Sequence, residues 1–405
     1  MSYVRETARG FGWMGGFRVA SRLVALLRTV ILARILLPAQ FGLYGIATLV
    51  LAFLEVFTET GINVFLIQQK ENLEKYIDTA WLVSIARGFL IALLILVCAP
   101  LVVRFFNAPG ALNLVLLISL VSAIRGFISP ARVKFQKELE FGKEFWIRMA
   151  IFTFDSAVAI VVALTTRTPA SLVWGLIAGS VLEVILTHAL IRPRPKLAFE
   201  SETFKKIVSR GKWLTGAGIF EYLFRQGDDI VVGRFLGETS LGFYQMAYKV
   251  ATLPVTEVAD VFGKVTLPIY AKISESKKEL KDALVKTTLA TAALVLPGGL
   301  VLVIFTKLAV TIVLGEVWLP IVPVLKVLVI YAITRALVNP ARTVFLAVKK
   351  QEYLTTVTFV SIVALAVAIF PLARLYGLVG IGLATIIASL ASVPLVVYYT
   401  VKIFK

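Results

Sequence analysis

The chain is poor in the residues that carry most protein chemistry. Among 405 residues it has one cysteine, Cys98, and one histidine, His188. A single cysteine excludes an intrachain disulfide and a cysteine-built metal cluster, and a single histidine argues against a histidine-based metal centre. Charged residues make up only 16% of the chain, where a soluble protein keeps about a quarter. Catalytic signatures are missing as well. There is no GxxxxGKS/T, no HExxH, no GxSxG and no nucleophile–base pair. An enzyme is therefore not expected, an ATP-driven pump would need a separate subunit, and neither a cofactor nor a metal is implied. No cleavable signal peptide is expected, because Arg18 and Arg22 interrupt the first apolar run.

What is abundant is apolar sequence. Hydrophobic residues make up 59% of the chain and mean hydropathy is +0.89. The bilayer must be the solvent, so backbone groups must pair internally. The apolar runs are about 20 residues long, which fits helices, whereas barrel strands alternate over about 10. Twelve spans are expected, at about 13–35, 42–67, 79–103, 111–131, 146–166, 169–191, 213–236, 241–268, 284–306, 315–339, 354–373 and 377–401.

Lysine and arginine divide unevenly between the connecting segments. The N-terminus, the even-numbered loops and the C-terminal tail hold 26; the odd-numbered loops hold 6. The positive-inside rule then places both termini and the even loops in the cytoplasm, in a multi-pass protein of the cytoplasmic membrane. The net charge of +18 thereby reads as an orientation signal with a secondary affinity for anionic membrane lipids, not as a nucleic-acid footprint.

The chain also repeats itself. ILARILLPAQFGLYGIA (Ile31–Ala47) matches VVGRFLGETSLGFYQMA (Val231–Ala247) without a gap, placing Arg34 on Arg234, Gly42 on Gly242 and Tyr44 on Tyr244. AIRGFISPARVKF (Ala123–Phe135) likewise matches ITRALVNPARTVF (Ile333–Phe345), with Arg125, Pro130 and Arg132 on Arg335, Pro340 and Arg342. Two matches in the same order indicate an internal duplication of about 200 residues. The basic stretch 192–212 divides the chain into lobes 1–191 and 213–405 of six spans each. Six is even, so the repeats are parallel, related by an axis along the membrane normal.

The run LARILLPAQFGLYGIA followed by ETGINVFLIQ (Glu59–Gln68) resembles the polysaccharide-transporter flippases. So do DDIVVGRFLGETSLGFYQMAYKVATLP (Asp228–Pro254) and SPARVKFQKELEFGK (Ser129–Lys143). These are the O-antigen and lipid-linked oligosaccharide exporters of the MOP superfamily, which also holds the MATE drug exporters and the lipid II flippases. The resemblance implies an all-α membrane fold of two six-helix lobes in a V, alternating between inward- and outward-open states. It implies a polyprenyl-diphosphate-linked glycan as cargo. A cation or drug antiporter is the alternative of the same class, and a polytopic glycosyltransferase or polymerase the alternative of another. The former needs an acidic site, and the latter needs a sizeable outer loop with acidic residues.

An ionisable side chain within a span costs at least about 2.5 kcal/mol on insertion scales and is a functional candidate by default. Arg18, Arg22 and Arg28 lie in span 1, which has no acidic residue. Guanidiniums bind phosphate oxygens in a bidentate fork, so these three, with Arg125, Arg225, Lys264 and Arg335, are candidate contacts for a diphosphate. The other reading pairs the span 1 arginines with Glu55 and Glu59. Those two glutamates, with Asp228, Asp229, Glu257 and Asp260, are candidate carriers of a coupling H+ or Na+. Ion pairing is the alternative for each: Arg225 with Glu221, Asp228 or Asp229, and Lys264 with Glu257 or Asp260. Asp155 and Glu183 are expected as possible partners of Arg125.

Overall fold

The computed structural model describes residues 20–68, 74–138 and 140–404, and leaves out the side chains at 64, 68, 208, 210–217, 224 and 253–265. Arg18 thus lies outside the described residues, as do the side chains of Glu257, Asp260 and Lys264. Every described element is a helix. In chain order these are α1 (20–35), α2 (Pro38–Phe57), α3 (Ile62–Gln68), α4 (Glu74–Phe106), α5 (Leu112–Gly126) and the short α6 (Val133–Lys137). There follow α7 (Phe141–Thr166), α8 (Ala170–Leu190), α9 (Ser201–Lys272), α10 (Lys277–Ile304), α11 (Thr306–Val313), α12 (Val322–Ala347) and α13 (Gln351–Phe404).

Among the described residues, eight helices are long and apolar enough to cross a membrane. One of them, the 54-residue α13, is two helices joined at Gly377, and the 72-residue α9 is divided in the same way at Gly237. Gly237 has φ 84° and ψ 175°, a conformation that residues with a Cβ avoid. With these two breaks, the described residues of each of the twelve expected spans lie mostly on helix. Side chains such as Leu93, Val97 and Leu101 of α4, and Val367 and Leu375 of α13, stand exposed. Apolar outer faces of this kind suit lipid as solvent, and the chain is a multi-pass membrane protein.

The chain forms two compact units. One runs to Gly227 and includes Gly237–Thr239; the other comprises Asp228–Leu236 and Ser240–Lys405. In the first, Ile207 at the start of α9 is fully buried among Phe65, Leu66, Tyr76, Ala80 and Val133. In the second, Tyr270, Leu280, Leu284 and Val344 form one core cluster, and Phe345, Val357 and Val396 another. Helices with little hydrophobic drive between them pack through small residues. At the α4–α5 crossing Gly88 and Gly126 do this work: a Cβ on Gly88 would lie 2.6 Å from the Ser122 carbonyl oxygen and 2.9 Å from the Gly126 Cα.

Candidate functional site

Residues 42–67 are expected to form one continuous span. The helix instead stops at Phe57 and restarts at Ile62. The residues between explain the stop. Gly61 adopts φ 65°, and the Glu59 carboxylate accepts its N–H at 2.9 Å. A helix end leaves carbonyls without intrahelical donors, which in a membrane must be met by protein. Arg87 of α4 meets them: its guanidinium donates to the Glu55 carbonyl and, through Nε, to the Thr58 hydroxyl at 3.1 Å. Broken helix at membrane depth is tolerated where it is packed in protein or lines a water-filled cavity.

Such a cavity is present. It has a volume of about 510 Å³ and is walled by the end of α2, the break, α4, α5, the turn after α5, and α8. Among the described residues, three arginines and three glutamates face it. Arg125 donates to Glu55 at 2.8 Å, Arg132 to Glu183 at 2.6 Å, and Arg87 approaches Glu59 at 3.4 Å. The close Gly88–Gly126 crossing accounts for part of this placement, because Arg87 and Arg125 are the residues just before the two glycines. The hydroxyl of Thr60, in the same wall, is buried without a hydrogen-bond partner. Asn63, at the start of α3, is exposed and also lines the cavity.

The remaining candidates are scattered. Arg22 is exposed on α1. Arg28 is not joined to Glu55 or Glu59 but donates to Asp155 of α7 at 2.9 Å, with side-chain exposures of only 14% and 10%. Asp155 and Glu183 are therefore taken by Arg28 and Arg132, and Arg125 finds Glu55. Sequence spacing fixes reach along one helix, and these pairings run between helices. Arg225 bonds Glu221 at 2.9 Å on an exposed face. The adjacent Asp228 is buried and accepts the Tyr244 hydroxyl at 2.8 Å, while Gln245 hydrogen-bonds Asp229. Arg335 reaches the Tyr331 hydroxyl at 3.4 Å, and Tyr331 in turn bonds Tyr248. Among the described residues no group of three or more His, Cys, Asp or Glu is placed to hold a metal ion.

Sequence reasoning missed Arg87 and the tyrosines. Arg87 had a signal: it is a charge inside an apolar run, the same mark that singles out Arg125. Tyr244, Tyr248 and Tyr331 had none, because their hydroxyls matter only through neighbours brought by folding.

Residues 31–323 match the family described as polysaccharide biosynthesis protein. The chain belongs to this polysaccharide biosynthesis family. It is 26% identical over 349 residues to the lipopolysaccharide biosynthesis protein WzxC of Escherichia coli (strain K12), covering 86% of this chain and 71% of that one. It is 25% identical over 360 residues to the teichuronic acid biosynthesis protein TuaB of Bacillus subtilis (strain 168), covering 85% and 72%. The solved structure of the lipid II flippase MurJ in an inward closed conformation matches with a TM-score of 0.78 at 17% identity, over 96% of this chain and 88% of that one. The polysaccharide biosynthesis family member described here thus has the all-α membrane fold of a solved MOP superfamily transporter.

Proposed function

We propose that this chain moves lipid-linked oligosaccharide or polysaccharide repeat units across the cytoplasmic membrane by alternating access. The observation that carries the reading is the broken span 2 of a polysaccharide biosynthesis family member, which opens a charge-lined cavity among membrane-spanning helices. Ionisable side chains within membrane spans mark substrate or ion pathways. The moving parts are the six-span lobes 1–191 and 213–405, joined by the basic segment 192–212, with both termini in the cytoplasm. The lipid tail stays in the bilayer while the polar head crosses. Arg18, Arg22, Arg28, Arg225, Lys264 and Arg335 are the cations we assign to the diphosphate. Asp228 and Asp229, with Glu257 and Asp260, are the acids through which an H+ or Na+ gradient drives the cycle.

The test is flipping by the purified chain in sealed vesicles that carry a polyprenyl-diphosphate oligosaccharide. Exposure of the glycan is followed by oxidation with a membrane-impermeant reagent. Wild-type vesicles should expose glycan with time, and Arg22→Ala should slow this at least tenfold. Arg22→Lys should recover only part of the rate, because it keeps the charge and loses the planar fork. Wild-type vesicles no faster than protein-free ones would refute the reading.

A further inference from the structure

Among the described residues the amino-terminal cavity is electrically balanced: Arg87, Arg125 and Arg132 face Glu59, Glu55 and Glu183, and their formal charges cancel. A diphosphate entering here would have to displace carboxylates that already lie 2.6 to 3.4 Å from the guanidiniums, and it would meet three like charges at close range. A cationic ligand meets the mirror-image problem. A polyhydroxyl ligand meets neither. Its hydroxyls can donate to the carboxylates and accept from the guanidiniums while each ion pair stays in place.

The rest of the wall suits the same chemistry. Asn63 offers two donors and an acceptor. Ser84 and Ser122 donate to carbonyls of their own helices, which leaves their oxygens able to accept. The buried Thr60 hydroxyl is without a partner. The volume of about 510 Å³ falls within the usual range for small-ligand pockets, about 300–1,000 Å³. We propose that this cavity is a saccharide subsite, which holds neutral sugar units of the glycan and excludes its diphosphate. The assignment rests on the transport reading above, and it places the sugar units and the diphosphate of the cargo at different sites.

Saturation-transfer NMR on the purified full chain in lipid nanodiscs tests it, since alkyl-glycoside detergents would present sugars of their own. The probes are the methyl glycosides of glucose, galactose and N-acetylglucosamine at millimolar concentration, and inorganic pyrophosphate as competitor. At least one glycoside should receive saturation, and equimolar pyrophosphate should leave that signal unchanged. Asn63→Leu, at an exposed position, should reduce it at least fivefold, whereas Asn63→Ser should keep most of it. Three results overturn the subsite: no transfer to any glycoside, displacement of the sugar by pyrophosphate, or undiminished transfer in a folded Asn63→Leu chain. The vesicle assay separates the two levels. Flipping without glycoside binding overturns the subsite and leaves transport standing. Glycoside binding without flipping supports the subsite and overturns the transport reading.

Discussion

Three residues ahead of the two copies of the repeated stretch, the charges are opposite. Arg28 and Asp228 are 200 residues apart, as are Tyr44 and Tyr244. In the amino-terminal copy, Arg28 is held by Asp155 from α7, and Tyr44 lies within electrostatic reach of that pair. In the carboxy-terminal copy, Asp228 accepts the Tyr244 hydroxyl and the backbone N–H of Asp229, at 2.8 and 3.0 Å. The aromatic position and the helix break were kept, and the charge was inverted. A buried guanidinium needs a carboxylate brought from another helix. A buried carboxylate can be met by neutral donors close by in the chain. The duplicated frame thus fixes where a polar group sits, and the residue placed there decides how far away its partner must be found.

That contrast predicts unequal losses. Asp155→Asn strands a nearly buried guanidinium and should lower unfolding stability in nanodiscs by about 3 kcal/mol. Asp228→Asn leaves an acceptor for Tyr244 and should lower it by about 1 kcal/mol. Equal losses would break the comparison. The helix crossings should differ next. At Gly126 a Cβ would stand 3.0 Å from the Ser84 carbonyl oxygen and 3.1 Å from the Ile85 Cα, so Gly126→Val should cost about 2 kcal/mol through overpacking. Its counterpart in the repeat is Ala336, a buried helical residue, and Ala336→Gly should cost only about 1 kcal/mol. A double-mutant cycle sharpens the picture at the cavity. Glu55 and Arg125 are each about a third exposed, at 35% and 37%, so their coupling should be about 0.5–1 kcal/mol and should shrink as salt rises. A Tyr331–Arg335 cycle should give a smaller coupling with less salt dependence, since tyrosine is uncharged.

How much of this could be read in advance follows from what kind of information each feature needs. The spans, the Gly237 and Gly377 junctions and the duplication are local or periodic, and they stand in the chain as apolar runs and repeated words. The break at Thr58–Gly61 is also local, yet ETGIN lies within an apolar run long enough to cross, and hydropathy averages over it. Partner choice is not local at all. Nothing in the spacing of Arg28 and Asp155, on α1 and α7, says that they meet while Glu55 turns to Arg125. The charge balance of the cavity depends on three such meetings at once. That is why the individual charges were identifiable from sequence and the character of the cavity was not.

The smallest effect compares the two prolines of the second repeated motif. Both are expected to break a helix. Pro130 does: α5 ends at Gly126, and Pro130 opens a short 3-10 turn behind Ser129, whose side chain caps Ala131 N–H at 3.3 Å. Pro340 does not, because α12 runs through it from Val322 to Ala347. The difference matches a sequence difference four residues upstream, where the first copy has Gly126 and the second Ala336, a far better helix former. Pro130 sits where its missing N–H has no helical partner to lose, so Pro130→Ala mainly frees the unfolded chain and should destabilise by about 0.5 kcal/mol. Pro340 withholds a donor from the helix interior, so Pro340→Ala should restore one hydrogen bond and stabilise by a similar amount, about 0.5 kcal/mol. Unfolding temperatures of the two variants should therefore move in opposite directions. Shifts of the same sign would mean that the two copies place their prolines in equivalent backbone after all.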